Sequence, residues 1–394
     1  MEVLSSFFLN NISPMVSIGA QLTFIFILIF VIFFPLITLT YWIEQVIYSR
    51  FSGIRGAGHS LYNIIFPMKI ITKLLQKESQ TDPYIDRPLF CLAPYVGFST
   101  VVLTLIVLPF SSHYVLSHSD LGVLYLITFI FLMGIHALMA GWSSNSKWAL
   151  IGAVRSLTQS LCGITLYGLV IMIITLQTHS LSIQDIIQMQ GPHPWQWLLF
   201  LSPFTLAAFL LSLSSLMMII DQPPYGTATS SSEIHSGYKG HYTGIRYFVL
   251  TISNKGAFFI LSAMTTHLFL GGWQAPASWL YWAAVFSPQF PNIIEMGVFL
   301  FKTLCVVWII LILQNTLPPL RLDHLIKLTW KYLIPLGLTA LAGTAIWTYI
   351  FPDGNLFTQY LLSLLLVTFG IYFFYRLLYH TYLSIKPRIK GKKA

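Results

Sequence analysis

Charged side chains are scarce in this sequence. They make up 8% of its 394 residues, and the mean hydropathy is +0.74. A soluble domain carries about a quarter charged residues, so the composition excludes a soluble globular protein. Apolar runs of about 18 or more residues recur along the chain, each long enough to cross a bilayer core of about 30 Å. Because these runs are continuous rather than alternating, the sequence predicts an all-α polytopic membrane protein and not a β-barrel.

Cysteine is also rare, with Cys91, Cys162 and Cys305 as its three examples. Each lies within an apolar run, and neither a CxxC pair nor a cysteine–histidine spacing occurs. The pattern excludes a disulfide framework and a metal cluster, so we expect three buried small hydrophobic residues. No metal-binding residue and no catalytic residue is predicted.

Carboxylates are the scarcest charged groups. The chain has twelve Asp and Glu residues; none falls in the middle of a predicted span, and Glu44 and Glu295 stand at span ends. Ionisable groups at membrane depth are costly and usually mark functional paths such as proton relays. The sequence therefore offers no carboxylate relay across the membrane. His136 and His267, which lie in spans, are expected to be hydrogen-bonded packing residues.

Hydropathy locates nine candidate membrane helices. They are expected at 16–42, 88–110, 121–141, 148–175, 195–220, 246–271, 294–314, 331–351 and 356–378. The fourth is long enough to be tilted or to project from the membrane.

Lysine and arginine outnumber the acids and give a net charge of +9. Loops that carry Lys or Arg alternate with loops that have none, as the positive-inside bias requires. The pattern places the N-terminus outside and the basic C-terminal tail in the cytoplasm or matrix. It also explains the positive charge without a nucleic-acid partner. The tail KPRIKGKKA is interpreted either as a solvated stop-transfer segment or as a binding segment for anionic lipid.

The first inner loop contains a predicted amphipathic helix. In HSLYNIIFPMKIITKLLQKE, residues 59–78, Lys69, Lys73 and Lys77 recur at every fourth position, while apolar residues line the other side. Such a helix lies in the membrane interface or against a neighbouring subunit, and a simple surface helix is the alternative.

Several blocks of the sequence resemble one known family. The run AGWSSNSKWALIGAVRSLTQS, residues 140–160, closely resembles a signature of the complex I subunit called H in bacteria and subunit 1 in mitochondria. Further blocks resemble this family in the same order, at 87–103, 119–126, 237–248, 261–273 and 317–336. The likeness runs from about residue 44 to about residue 350.

The resemblance implies a subunit at the heel of the membrane arm, beneath the hydrophilic redox arm. With other membrane-arm subunits, members of the family enclose the tunnel through which a quinone reaches the electron-transfer chain. They carry no iron–sulfur cluster or flavin, so this chain is expected to bind no cofactor of its own and to share quinone as a substrate. A bacterial inner membrane is the expected location, with the mitochondrial inner membrane as the alternative. The ninth helix and tail, 353–394, exceed the usual eight helices, which would occupy 1–352.

The resemblance also indicates which residues contact the quinone cavity or the redox arm. They are Glu44, Arg50, Arg55, Lys69, Arg155, Gln159, Tyr225, Glu233, Tyr242 and Arg246. Several lie on the polar inner loop DQPPYGTATSSSEIHSGYKGHYTG, residues 221–244, which in this family packs against the redox arm.

This chain departs from the family mainly in its acids. The acidic series of the polar inner loop is reduced to Glu233, and Ile164, Ile219, His241 and Asn254 stand where the family usually has Glu. A proton relay of the kind attributed to the family therefore lacks its carriers here.

Two lysines, Lys255 and Lys302, are predicted to lie within spans. Neither has an evident carboxylate partner in the chain, and Lys255 is expected to be unpaired. The candidate partners of Lys302 are backbone carbonyls, lipid phosphate or an acid from another subunit.

Two functional hypotheses follow. In the first, the chain is a working complex I subunit that lines the quinone tunnel and takes part in energy coupling. In the second, it is a structural anchor of a complex I-like assembly, hydrogenase-linked or ion-translocating, and the missing carboxylates favour this one. A stand-alone transporter is disfavoured because no inverted repeat of broken helices is visible.

Overall fold

The structure is a helical bundle. The computed structural model describes residues 33–52, 72–79, 83–112, 115, 119–226, 237–276, 290–351, 361–362, 364 and 368. Its α-helices are α1 (Phe34–Ser52), α2 (Arg87–Val107), α3 (Gly122–Ser143), α4 (Lys147–Thr178), α5 (Ile183–Gln188), α6 (Leu198–Leu201), α7 (Pro203–Ile219), α8 (Gly244–Phe269), α9 (Phe290–Thr316), α10 (Leu322–Leu328) and α11 (Ile334–Ile350). Two 3₁₀ turns, Pro194–Gln196 and Gly237–His241, and a π-helix, Thr329–Leu333, complete the described elements. These parts of the chain contain no strand, which confirms the all-α class.

Six of the described helices are long and apolar enough to cross a membrane. They are Arg87–Val107, Gly122–Ser143, Lys147–Thr178, Gly244–Phe269, Pro291–Thr316 and the continuous segment Leu322–Ile350, and the shorter α7 is also apolar. The polytopic membrane class is therefore confirmed. The predicted ninth helix and the boundary at 352/353 lie almost entirely outside the described residues. The same is true of most of the predicted amphipathic helix, of which residues 72–76 are described and helical.

The first helix differs from its prediction. It continues to Ser52, ten residues past the expected end at 42, and it carries Glu44 and Arg50 within the helix. The segment YWIEQVIYSRF keeps apolar residues on most positions, so a single acid does not end the helix once that acid is paired. Glu44 is thus not at a helix end, and the inner loop begins later than predicted.

The predicted fifth span, 195–220, is divided. Ser202 is extended (φ −146°, ψ 158°) between α6 and α7, and its hydroxyl accepts a hydrogen bond from the Thr205 N–H at 3.1 Å. Ser at the N-cap followed by Pro203 at the first helical position is a strong start signal. The apolar run hid this boundary because hydropathy does not distinguish one helix from two.

The predicted eighth span, 331–351, begins earlier than expected. The chain is helical from Leu322 and passes through the π-helix Thr329–Leu333 into α11. Pro335 has no N–H to bond the carbonyl four residues before it, and a local π-segment accommodates that loss.

Close helix contacts set the centre of the bundle. α4 packs against α3, α7 and α11, and α8 packs against α2 and α9. At Gly141 a Cβ would lie 2.3 Å from the Cβ of Ala153, so the approach of α3 to α4 requires glycine at that position.

Hydrogen bonds between loops define two ends of the bundle. At the first end, which we call the basic end, the Asp86 N–H donates to the Ser143 carbonyl at 3.1 Å and the Leu320 N–H donates to the Pro224 carbonyl at 2.8 Å. α3, α7 and α9 finish there, and α2, α4, α8 and α10 begin there. At the opposite end, which we call the far end, the Val123 N–H donates to the Leu181 carbonyl at 3.2 Å. The described segments of the loops that carry Lys and Arg therefore meet at one end, as the alternation along the chain indicates.

Candidate functional site

An aromatic stack joins the starts of α2 and α8 at the basic end. The rings of Phe90 and Tyr242 lie parallel, 7° apart, with centroids separated by 4.0 Å. The Tyr242 hydroxyl donates to the Phe90 carbonyl at 3.2 Å, and the Arg246 guanidinium lies 5.7 Å from the centroid of the Phe90 ring. Burial raises the pKa of Tyr242, so its hydroxyl stays protonated and remains a donor. The stack fixes the C-terminal side of the polar inner loop.

The first inner loop reaches the same place. Gly244 has φ +62°, and a Cβ there would lie 2.6 Å from the carbonyl oxygen of Lys77. Only glycine combines this left-handed conformation with so close a backbone approach. The end of the predicted amphipathic segment thus contacts the start of α8.

Tyr238 anchors the 3₁₀ turn between these two features. Its side chain is 2% exposed and forms side-chain hydrogen bonds with Asn254 and Ser156. Burial, and secondarily the nearby Asp221 carboxylate, raise the pKa of Tyr238, and the two hydrogen bonds oppose that rise. The turn is therefore tied to both α8 and α4.

The end of α7 is held by α4. The Gln159 carboxamide is fully buried and donates to the Met218 carbonyl at 2.9 Å. Tyr225, on the polar inner loop just beyond α7, is also buried, and burial raises its pKa. Arg155 lies half-buried one turn before Gln159 on α4.

An ion pair links α1 to α8. The Lys255 ammonium lies 2.5 Å from Glu44 Oε2, and the two side chains are 14% and 18% exposed. The ammonium also lies 5.8 Å from the centroid of the Tyr41 ring. The prediction that Lys255 is unpaired was wrong, because its partner lies 211 residues away in sequence and only the packing of α1 on α8 brings it near.

Lys302 is bound by backbone carbonyls, one of the three kinds of partner expected for it. Its ammonium donates to the carbonyls of Leu270, Gly272 and Gln274 at 2.9, 3.2 and 3.1 Å. These carbonyls follow the last turn of α8, where a cation offsets the negative end of the helix dipole. The ammonium also lies 4.8 Å from the centroid of the Trp197 ring. Lys302 thus caps α8 at the far end.

The predicted contact residues therefore fall into distinct places. Arg50, Tyr225, Tyr242 and Arg246 lie at or beside helix ends of the basic end. Arg155 and Gln159 lie further inside, about 12 and 18 Å past the start of α4, and Glu44 of the Glu44–Lys255 pair lies about 12 Å before the end of α1. Lys302 belongs to the far end, and Arg55, Lys69 and Glu233 lie outside the described residues.

Comparisons with known proteins agree with this architecture. A profile of the NADH dehydrogenase family matches residues 23–345. The H subunit of the NADH-quinone oxidoreductase of Anaeromyxobacter dehalogenans (strain 2CP-C) is 32% identical over 284 residues, covering 70% of this chain and 69% of that protein. The corresponding H subunit of Dehalococcoides mccartyi (strain CBDB1) is 31% identical over 320 residues, 80% of this chain and 83% of its own. The H subunit of Chlorobaculum tepidum is 32% identical over 291 residues, which cover 70% of this chain and 78% of that protein.

The chain belongs to the family of complex I H subunits. The family membership predicted from the ordered sequence blocks is thereby confirmed, and the membrane helices confirm that the chain is a multi-pass membrane protein. The relatives named above are all bacterial proteins.

Two side chains of the basic end were missed as site residues in this H-subunit homologue. In the sequence Phe90 is one apolar residue among many. Its role as the stacking partner of Tyr242 was missed because the two residues are 152 positions apart in the chain. Tyr238 stands in the family-like block GYKGHYTG, so its sequence context was a usable signal.

The cysteines of this H-subunit homologue also correct a prediction. Cys162 is buried as expected, but Cys91 is only partly buried and Cys305 is exposed on the helix surface. Cysteine is apolar enough to face lipid as well as protein, so hydropathy does not decide between the two.

Proposed function

We propose that this chain is a membrane-arm subunit of a complex I-type NADH:quinone oxidoreductase, that its basic end docks the redox arm, and that this end forms part of the wall of the quinone cavity. The subunit contributes no redox centre. Its partners are the other membrane-arm and redox-arm subunits, with quinone as a shared substrate and anionic lipid around the helices.

One observation carries the proposal. The segments that the family uses against the redox arm converge at the basic end, where Phe90, Tyr242 and Arg246 form one stack and Gly244 meets Lys77. Phe90 and Tyr242 are buried, so their stack is a rigid internal support for this end, and the half-buried Arg246 is its member that a partner can contact. Arginine is enriched at protein interfaces, and a rigid support beneath it holds a partner in a fixed position relative to the membrane.

Arg246 supplies the charge for that contact. The Arg246 side chain as a whole is half-buried. Its Nη1 atom is buried and has no hydrogen-bond partner among the described residues. Arginine binds carboxylates strongly and in fixed geometry, so an acid of a neighbouring subunit is the partner that suits it. The positive-inside pattern directs this end toward the cytoplasm, on the same side as the redox arm.

Proton coupling is not part of the proposed role. Among the described membrane helices, Glu44 is the carboxylate that lies furthest from a helix end, and it is paired with Lys255. Ile164 and Asn254 cannot titrate at the positions where the family usually has Glu. The subunit is therefore proposed to position its partners, while proton chemistry resides in other chains.

The test is purification of the tagged chain with its native partners, followed by mass spectrometry and an inhibitor-sensitive NADH:quinone reductase assay. We expect redox-arm subunits to co-purify and turnover to depend on this chain. The substitution Arg246→Gln should reduce both the co-purified redox arm and turnover, whereas the matched control Lys147→Gln, an exposed residue of the same end, should leave both unchanged.

A second candidate is a structural anchor of a complex I-like assembly that is hydrogenase-linked or ion-translocating. The paired state of Glu44 and the absence of titratable groups at positions 164 and 254 favour it. Co-purification of such partners without quinone reductase activity would establish this role and exclude the quinone cavity.

A further inference from the structure

The segment around the π-helix has an outward face that is basic and aromatic. Lys327 and Lys331 are exposed and lie about one helical turn apart. The Trp330 and Tyr332 side chains, which flank Lys331 in sequence, are each 61% exposed. The Lys331 ammonium lies 5.7 Å from the centroid of the Tyr332 ring. We call these four side chains the basic–aromatic face.

The opposite side of this segment is anchored in the bundle. Leu325 and Thr329 are fully buried. The Thr329 hydroxyl donates to the Leu325 carbonyl at 2.9 Å and lies 3.8 Å from the sulfur of Met218 on α7. Leu322–Ile350 is nevertheless the least buried of the six long apolar helices. The buried contacts therefore fix the rotation of the segment and leave the basic–aromatic face on the outside of the bundle.

The basic–aromatic face lies at the level of the lipid headgroups. From Lys331 to Ile350 the chain is helical over 20 residues, about 30 Å, which is the thickness of a hydrocarbon core. Lys331 then stands at the inner boundary of that core, and Lys327 lies about 6 Å further out. Tryptophan and tyrosine are enriched at this boundary because their rings have both an apolar and a polar part. Both ammonium groups are therefore within reach of headgroup phosphates.

The positive charge of this face is not compensated within the described part of the chain. Neither Lys327 nor Lys331 forms an ion pair with a carboxylate among the described residues. Arg321 is exposed as well, and Asp323 is the one acid of the segment 321–332. Three basic side chains thus stand against one acidic side chain, and the surplus favours an anionic ligand.

We propose that the basic–aromatic face binds the phosphate headgroup of an anionic phospholipid of the inner leaflet. The two ammonium groups donate charge-assisted hydrogen bonds to the phosphate oxygens. A zwitterionic lipid binds more weakly, because its own cation offsets the attraction to the surplus positive charge. Lysine is depleted at protein interfaces, so the two lysines favour lipid over a neighbouring subunit as the occupant. The site rests on the proposed role as a membrane-arm subunit, but it is independent of the quinone and of the redox arm.

Photo-labelling tests the site. The full-length chain, purified with its native partners, is placed in nanodiscs of phosphatidylcholine that contain a small fraction of phosphatidylglycerol with a photoreactive headgroup. After irradiation, mass spectrometry of the peptides locates the label. We expect label on residues 321–336, reduced by excess phosphatidylglycerol and not by phosphatidylcholine or inorganic phosphate. Equal competition by phosphatidylcholine, competition by inorganic phosphate, or absence of label in this segment would overturn the proposal.

Substitutions of the two lysines sharpen the test. Lys327→Gln and Lys331→Gln should each lower the labelling about fivefold, the equivalent of about 1 kcal/mol for one basic residue near an anionic surface. The charge-preserving variants Lys327→Arg and Lys331→Arg should retain the labelling. So should the control Lys147→Gln, which removes an exposed lysine of α4 outside this face. Undiminished labelling in both Gln variants would contradict the site.

A lysine-reactive cross-linker separates lipid from protein as the occupant. Cross-links from Lys327 or Lys331 to a neighbouring subunit, together with absence of lipid label, would identify the face as a subunit contact and overturn the proposal. Co-purification of the redox arm is followed in the same samples, and we expect it to be unchanged in the Gln variants. A failure of the docking role is therefore distinguishable from a failure of the lipid site.

Discussion

The two ends of α8 are held by different chemistry. In its first half, Lys255 pairs with the Glu44 carboxylate of α1, and just before its start Tyr242 stacks on Phe90. After its last turn, Lys302 of α9 donates to three backbone carbonyls. Both lysines lie inside the bundle, yet one is compensated by a full charge and the other by peptide dipoles.

The difference has a structural consequence. A carboxylate–ammonium pair depends on two side chains, and both can be replaced together by apolar residues at little cost. Three carbonyls belong to the backbone and cannot be removed, so their cation has no simple substitute. The far end is further tied by Gln190, whose carboxamide donates to the His267 carbonyl at 2.9 Å and accepts from the Gly271 N–H at 2.7 Å. We therefore expect the far end to be the less tolerant of substitution.

The largest effect is expected for Lys302→Met. The change leaves three buried carbonyls without their donor and removes the cation from the end of the α8 dipole, at about 3 kcal/mol of unfolding free energy. Thermal unfolding in detergent measures it. Lys327→Met, an exposed lysine of α10, is the control and should shift the midpoint little. Equal shifts for both variants would mean that the carbonyl site does not stabilise the fold.

For Lys255→Met we expect a smaller loss of unfolding free energy, about 2 kcal/mol, because the substitution leaves the Glu44 carboxylate without its cation. The value is below that of a fully buried pair because the two side chains are 14% and 18% exposed. Unfolding midpoints of the two single variants and of Lys255→Met with Glu44→Met form a double-mutant cycle. The double variant should regain most of the loss, and additive losses would contradict the pairing.

Tyr242→Phe removes the hydrogen bond to the Phe90 carbonyl and should lower the unfolding free energy by about 1 kcal/mol. The effect is small because the ring and its stack on Phe90 are retained. The matched control is Tyr125→Phe, whose side chain is half-exposed on α3. Limited proteolysis of the polar inner loop offers a local readout, and we expect faster cleavage in the Tyr242 variant alone. A loss as large as that of Lys302→Met would show that the basic end is not the more tolerant one.

The smallest effect concerns alkaline pH. Burial raises the pKa of Tyr238 and Tyr242 above the usual 10.0, so the folded protein keeps these protons when the unfolded chain has lost them. Their contribution to stability is complete below about pH 10 and falls as the pH rises further. The unfolding midpoint, measured between about pH 9 and pH 11, should therefore fall less in the Tyr242→Phe variant than in the native protein. An equal loss in both would contradict the assignment.

Much of the fold was predictable because hydropathy and charge are local properties of the chain. The runs of apolar residues located α2, α3, α4 and α8 to within a few residues, and the alternation of basic loops indicated which helix ends lie together. The division at Ser202 was not predicted, because a cap inside an apolar run does not change its hydropathy.

The candidate site was predictable to a lesser degree. Tyr242 and Arg246 were identified through family-like blocks, and the structure brings them together on Phe90. The Glu44–Lys255 pair was missed, since no local pattern relates two residues that far apart in the chain. For Lys302 the sequence left three kinds of partner open, and only the geometry after α8 selects the carbonyls.

The sequence by itself determined the membrane class, the family, and the poverty in carboxylates that argues against a proton relay. These follow from composition and from short ordered blocks, which need no knowledge of packing. Only the tertiary structure decided how the lysines of the spans are compensated and which side of the segment around the π-helix stays outside the bundle. Those outcomes depend on distances between helices far apart in the chain, and such distances are set by the packing of whole helices.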